Sequence, residues 1–157
     1  MTSRDVVGLL GAVVVCFAAA GIGSLATVDA IPTWYAALHK PPWNPPNRIF
    51  GPVWSLLYLM MAVAAWLVWR AAGWSLARPA LGLFAIQLVL NVGWSVVFFG
   101  LRQPGWALVE IVVLWCAILG TLLLFRRISP PAALLLVPYL AWVTFAAGLN
   151  LAIWRLN

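Results

Sequence analysis

Within the long apolar runs of this chain stand a few side chains that hydrocarbon gives no reason to carry. They are Gln87, Asn91 and Asn150, the carboxylate Glu110, and a set of tryptophans at helical intervals. Read as helices, the runs gather these residues onto single faces. Trp54, Tyr58, Met61 and Ala65 align on one face, and Gln87, Asn91, Trp94 and Phe98 on a second. Trp106, Glu110 and Val113 align on a third, and Tyr139, Trp142, Ala146, Leu149 and Asn150 on a fourth. Polar groups at membrane depth turn inward, toward partners or a cavity. Indole faces interleaved with amides suit a flat, conjugated ligand better than they suit acid–base or nucleophilic turnover. The amides also have a structural use, since a hydrogen bond between membrane helices contributes about 0.6 kcal/mol on average. Glu110 stands apart, because a carboxyl group in the bilayer is expensive and marks function by default. Its place two turns into its run allows interface exposure or protonation, and Arg102 is its candidate partner if the loop folds back.

Several chemistries are missing. No HExxH, CxxC, phosphate-binding loop or Ser-His-Asp set can be assembled from these residues. The single histidine, His39, lies in a connector, and Cys16 and Cys116 sit in apolar runs as packing residues. Among residues able to ligate haem iron, only Met60, Met61 and Cys116 lie near the striped faces. No metal ligation is expected. Lys40 and Arg48 are the cations placed to hold the acid groups of a ligand.

The elements that must position these faces follow from composition. Of 157 residues, 66% are hydrophobic and 8% charged, with mean hydropathy +1.05. A soluble domain runs nearer half apolar, so the chain is an all-α integral membrane protein. Nine Lys and Arg against three Asp and Glu read as loop charge at anionic headgroups, with no nucleic-acid partner. Apolar runs of near-spanning length predict five helices at about 6–27, 51–69, 79–99, 104–125 and 130–154, forming a single domain over 1–157. The first run is too long in its apolar core for a signal peptide and is read as a retained helix. Small residues Ala12, Cys16, Ala19 and Gly23 mark its contact face. Orientation is left open by five positive residues on one side and four on the other.

The connector 28–50 interrupts the pattern. Prolines at 41, 42, 45 and 46 bar a helix, and Trp34, Tyr35 and Trp43 make it stiff and aromatic. It reads as a lid over a flat apolar site, with an interfacial aromatic turn as the plainer alternative. On the third helix Gly82, Ala85, Ile86, Val89 and Gly93 form a slim edge suited to self-association.

The segments WYAALHKPPWNPP, GPVWSLLY, QLVLNVGWSVVFFG with RQPGWALVE, and PYLAWVTFAAGLN with its terminal WR together resemble the translocator protein / tryptophan-rich sensory protein family, across essentially the whole chain. The resemblance implies a five-helix bundle, a homodimer, and a receptor or sensor that binds protoporphyrin IX or related tetrapyrroles, with no required cofactor. Sterol and drug-like ligands are implied for mitochondrial members. By motif, the implied pocket takes Phe50, Gly51, Val53 and Trp54, then Trp106, Val109 and Val113, then Trp142, Ala146 and Leu149, closed by Gly23 and Ser24. Asn91 and Trp94 join it from the striped face of the third helix. Trp54 and Trp142 match the tryptophans implicated in light-driven porphyrin breakdown by bacterial relatives, which makes a slow porphyrin-degrading enzyme the alternative to binding, transport or stress regulation. In the sterol-recognition pattern Leu151 stands where relatives have Tyr, leaving only Trp154 and Arg155.

Overall fold

The computed structural model describes residues 2–157. Helix α1 (Ser3–Thr27) opens on a capping box. The Asp5 amide donates to the Thr2 hydroxyl at 3.3 Å, and the Thr2 amide donates to the Asp5 carboxylate at 2.9 Å. Two donors that every helix start leaves open are thereby satisfied.

The next helical stretch, Asn47–Ser95, would be roughly 70 Å long if straight, against a hydrocarbon core of about 30 Å. It is broken at Gly73, with φ 67° and ψ 177°, a backbone open to glycine because it has no Cβ. Tyr58 meets Asn91 and Met61 meets Gln87, so the two arms run back antiparallel from that point. We label them α2 (47–72) and α3 (74–95). The expected turn between Arg70 and Arg78 thus shrinks to one residue. The α3 arm ends in a wide π-helical turn, Val96–Gly100. Helices α4 (Pro104–Ile128) and α5 (Pro130–Leu156) each begin with proline, whose missing N–H costs nothing in a first turn. Four helical stretches are long and apolar enough to cross a membrane, and the bend at Gly73 makes five crossings of them.

Helices α2 to α5 form the packed centre. Met61, Val68, Ile111, Leu114, Ile118, Phe125, Leu136, Tyr139 and Val143 are almost fully buried there. On α4 the buried face runs through Ala107, Ile111, Leu114, Ile118, Thr121 and Phe125, at alternating steps of four and three. Helix α1 is peripheral and buries only Cys16 and Gly23. Its first turns are docked by the Trp66 indole N–H, which donates to the Asp5 carbonyl at 2.9 Å, and by the Arg4 guanidinium over the Trp69 ring at 5.1 Å. Asp5 also pairs with Arg70 at 3.7 Å, an exposed contact of small value.

Gly8 is where α1 meets the flat of Trp69, and a methyl group at that position would overlap the indole. Gly8→Val should therefore cost about 1–3 kcal/mol, the usual range for overpacking. A lowered thermal midpoint in detergent checks this, with Gly11→Val as the control because Gly11 faces open space.

Candidate ligand-binding site

Two adjoining chambers lie at the end of the bundle that carries the connector. The larger, about 450 Å³, is walled by α1, α2 and α3 through Phe17, Gly23, Ser24, Gly51, Ser55, Tyr58, Asn91 and Ser95. The smaller, about 90 Å³, lies under the connector among Tyr35, Trp94, Phe98, Phe99, Trp142, Ala146, Leu149 and Asn150. Ile31, Asn47, Phe50 and Trp54 line both and form the partition between them. Ligand pockets generally run from about 300 to 1,000 Å³. The larger chamber alone reaches that size. The smaller takes a sizeable guest only if Phe50 or Trp54 swings aside.

Aromatic rings dominate the inner chamber. Trp94 stacks on Phe98 at 5.1 Å, Phe50 stands edge-on to Trp142 at 6.0 Å, and Trp54 edge-on to Tyr139 at 6.2 Å. The π turn explains why the neighbours Phe98 and Phe99 both face inward. The Leu101 amide reaches back to the Val96 carbonyl at 2.8 Å, and this widened turn brings the two rings to 4.8 Å.

The polar stripes hold the wall behind the rings. The Tyr58 hydroxyl donates to Asn91 Oδ1 at 2.6 Å, and Asn91 Nδ2 donates to the Tyr139 hydroxyl at 2.9 Å. Tyr139 in turn donates to Gln87 Oε1 at 2.8 Å. Nearer the lid, the Trp94 indole donates to Asn150 Oδ1 at 3.1 Å, and Asn150 Nδ2 donates to the Pro104 carbonyl at 2.8 Å. Helices α2, α3 and α5 are joined by the first set, and α3, α4 and α5 by the second. The amides are structural, and Asn91 also faces the larger chamber.

The connector closes over the rings as a lid. It begins with a π-helical turn, Ile31–Tyr35, that seats Trp34 against Phe98 at 5.6 Å and Tyr35 against Phe99 at 5.6 Å. The Tyr35 hydroxyl donates to Asn44 Oδ1 at 2.9 Å, and Trp43 stands edge-on to Phe145 at 5.7 Å. Burial raises the Tyr35 phenol above its ordinary titration range, so this donor persists through neutral pH. Its contribution is full below the unfolded value of about 10 and is lost as pH climbs through the raised one. The C-terminus latches the far side of the lid: the His39 amide donates to Asn157 Oδ1 at 3.0 Å, while Asn157 Nδ2 donates back to the His39 carbonyl at 3.0 Å.

Most of the expected site residues converge here. Phe50, Trp54, Trp94, Trp142, Ala146 and Leu149 line the inner chamber, and Gly23, Ser24, Gly51 and Asn91 line the outer one. Others do not. Trp106, Val109 and Val113 are 70%, 57% and 51% exposed on the outer side of α4. The α4 core face runs one position over, through Ala107, Ile111 and Leu114, so the expected stripe is rotated out of the chamber. Val53 faces a separate external groove between α2 and α5. Lys40 is not a free cation, because its ammonium donates to the carbonyls of Tyr35 at 2.6 Å and Leu38 at 2.9 Å and rests over the Tyr35 ring. It caps the lid's helical turn instead. Arg102 does not pair with Glu110: among the described residues the one ion pair is Arg70 with Asp5. No cluster of His, Cys, Asp or Glu able to hold a metal occurs among the described residues. The chamber residues not picked from the sequence are Ile31, Tyr35, Asn47, Phe99 and Ile153, together with Phe17, Ala20, Gly21, Thr27, Ser55 and Ser95. Tyr35 sat in a quoted motif and was readable, but the inward turn of Phe99 depends on the π turn.

Fold and chamber together define a multi-pass membrane protein with an aromatic internal cavity under a proline-rich lid. Residues 12–155 match the TspO/MBR family, and the chain belongs to it. It is similar to the tryptophan-rich protein TspO of Chlorobaculum tepidum, at 45% identity over 157 residues, 99% of each chain. It is also similar to the translocator protein of Ovis aries, at 46% identity over 127 residues, 79% of this chain and 75% of the relative. The tryptophan-rich sensory protein of Cereibacter sphaeroides is 39% identical over 142 residues, 90% of this chain and 86% of the relative.

The latch can be tested without any ligand. Its two hydrogen bonds together contribute about 2 kcal/mol, so Asn157→Ala should open the lid roughly thirtyfold more often. Limited proteolysis within residues 36–46 should accelerate accordingly while the thermal midpoint of the bundle hardly moves.

Proposed function

We propose that this protein is a membrane receptor for a flat, amphipathic tetrapyrrole such as protoporphyrin IX, held in the paired chambers beneath the lid. The observation that carries this reading is the convergence of Phe50, Trp54, Trp94, Phe98 and Trp142 from three helices on one enclosed space. Such rings offer faces and edges to a conjugated macrocycle. The outer chamber supplies the volume, and Phe50 and Trp54 are the rings that yield as the ligand settles. Arg48, exposed beside Asn47 at the chamber mouth, is the cation for the ligand's acid groups. The names of the relatives, sensory protein and translocator protein, fit reversible occupancy of such a site.

Protoporphyrin should quench the intrinsic tryptophan fluorescence of the purified protein in a saturable way. Non-saturable quenching, equal to that of free tryptophan in the same detergent, would sink the reading. Trp54 and Trp142 share the inner chamber, which favours a second reading, slow light- and oxygen-dependent breakdown of the bound porphyrin with these indoles as electron donors. Trp54→Phe with Trp142→Phe keeps aromatic faces, so affinity should change by no more than about tenfold, the scale of one aromatic pair. Aerobic bleaching of the Soret band under light should nevertheless slow markedly in that double variant.

Self-association through α3 belongs to the same proposal. Gly82, Ala85, Ile86 and Val89 are exposed along one edge, as close approach between membrane helices requires. Gly93 is not part of that edge, because it faces Glu110 inside the bundle. Ala85→Leu should reduce cross-linked dimer in membranes and leave porphyrin quenching unchanged. An equal dimer yield would exclude this face.

A further inference from the structure

The carboxyl group of Glu110 is used by nothing described so far. Both of its oxygens are enclosed, and neither has a hydrogen-bond partner among the described residues. It projects from α4 toward α3, where Gly93 makes room: a methyl there would stand 3.6 Å from Oε1. The one ion pair among the described residues lies at the other end of the bundle, between Arg70 and Asp5. On α5 the nearest titratable group is the neutral phenol of Tyr139, whose hydroxyl is held by Asn91 and Gln87 of α3. Beyond Tyr139 stand Tyr58 on α2 and Cys16 on α1, and α3 presents the neutral amides Gln87 and Asn91. Among the described residues no cation pairs with the carboxyl from any of these helices. A carboxylate so placed would be a buried charge with neither counter-ion nor donor, whereas the neutral acid carries no such penalty.

We infer that Glu110 is a proton-binding site in the bilayer interior, coupled through Tyr139, Asn91 and Tyr58 to the wall of the larger chamber. When the O–H bond of Glu110 breaks, the proton leaves to water and the carboxylate needs a donor. The Tyr139 hydroxyl, now given to Gln87 at 2.8 Å, is the donor that can turn toward it. Each bond in the chain is oriented by the next, so the turn carries over to Asn91 and to Tyr58 on the chamber wall. An anionic ligand in the chamber is repelled by a Glu110 carboxylate across low dielectric and therefore favours the protonated form. The linkage is reciprocal, so the proton in turn favours the anion. Only the identity of that ligand rests on the function proposed above.

Infrared difference spectroscopy on the ligand-free protein tests the proton site, using the parent, Glu110→Gln and Tyr139→Phe. A protonated-carboxyl C=O band should be present at neutral pH, vanish in Glu110→Gln and shift in Tyr139→Phe. Identical neutral-pH spectra for all three proteins would overturn the site, and the Tyr139→Phe shift decides the matter should Glu110→Gln fail to fold. Protoporphyrin affinity of the same proteins tests the coupling. In the parent it should weaken about fivefold or more as the band is titrated away, while Glu110→Gln holds the tight value throughout. The same pH curve in all three proteins would overturn the coupling. A carboxyl band with no porphyrin binding at any pH would refute the tetrapyrrole reading and leave the proton site standing.

Discussion

In hydrocarbon a polar side chain has no solvent to fall back on, and the centre of this bundle is arranged around that fact. Tyr58, Asn91, Tyr139 and Gln87 each give a hydrogen to the next partner, with Gln87 reaching the Met61 sulfur at 3.9 Å as the final, weak acceptor. Each bond is modest, about 0.6 kcal/mol on the average of membrane helices. Their joint effect is directional. Apolar faces slide past one another at little cost in lipid, whereas a chain of matched donors and acceptors holds α2, α3 and α5 in one register. The rings of the inner chamber depend on that register, because Trp54 packs on Tyr58 and Tyr139.

The second set, Trp94 to Asn150 to the Pro104 carbonyl, fixes the lid end in the same way. It holds an indole of the chamber wall by its N–H, leaving the ring to pack on Phe98 and Phe99. The lid is stiff from proline, braced internally by Tyr35 with Asn44, and tied to the end of α5 by Asn157 with His39.

Much of this was legible in the residues. The five crossings followed from apolar length, and the proline starts of α4 and α5 follow from fixed φ and the missing donor. The stripes on α2, α3 and α5 point inward because each mixes polar with aromatic groups. The stripe on α4 was out of phase. That helix is apolar all round, so three positions, Trp106, Glu110 and Val113, could not fix its rotation, and only packing through Ala107 and Ile111 does. The reversal at Gly73 was masked by arginines at 70 and 78, which mimic a polar loop although both arms stay helical up to Gly73 itself. Lys40 looked like a free cation because the carbonyls it caps exist only once the lid has folded.

The one-residue reversal at Gly73 bears on how the chain enters a membrane. With no loop between them, α2 and α3 are delivered as a closed hairpin, already meeting along their lengths. Gln87 and Asn91 then need not face lipid alone while they wait for later helices, since Met61 and Tyr58 have preceded them into the bilayer. The two amides that would most oppose insertion of α3 by itself become the means of zipping it to its partner during synthesis. Tyr139, arriving last on α5, finds a half-built polar seam with places left for it.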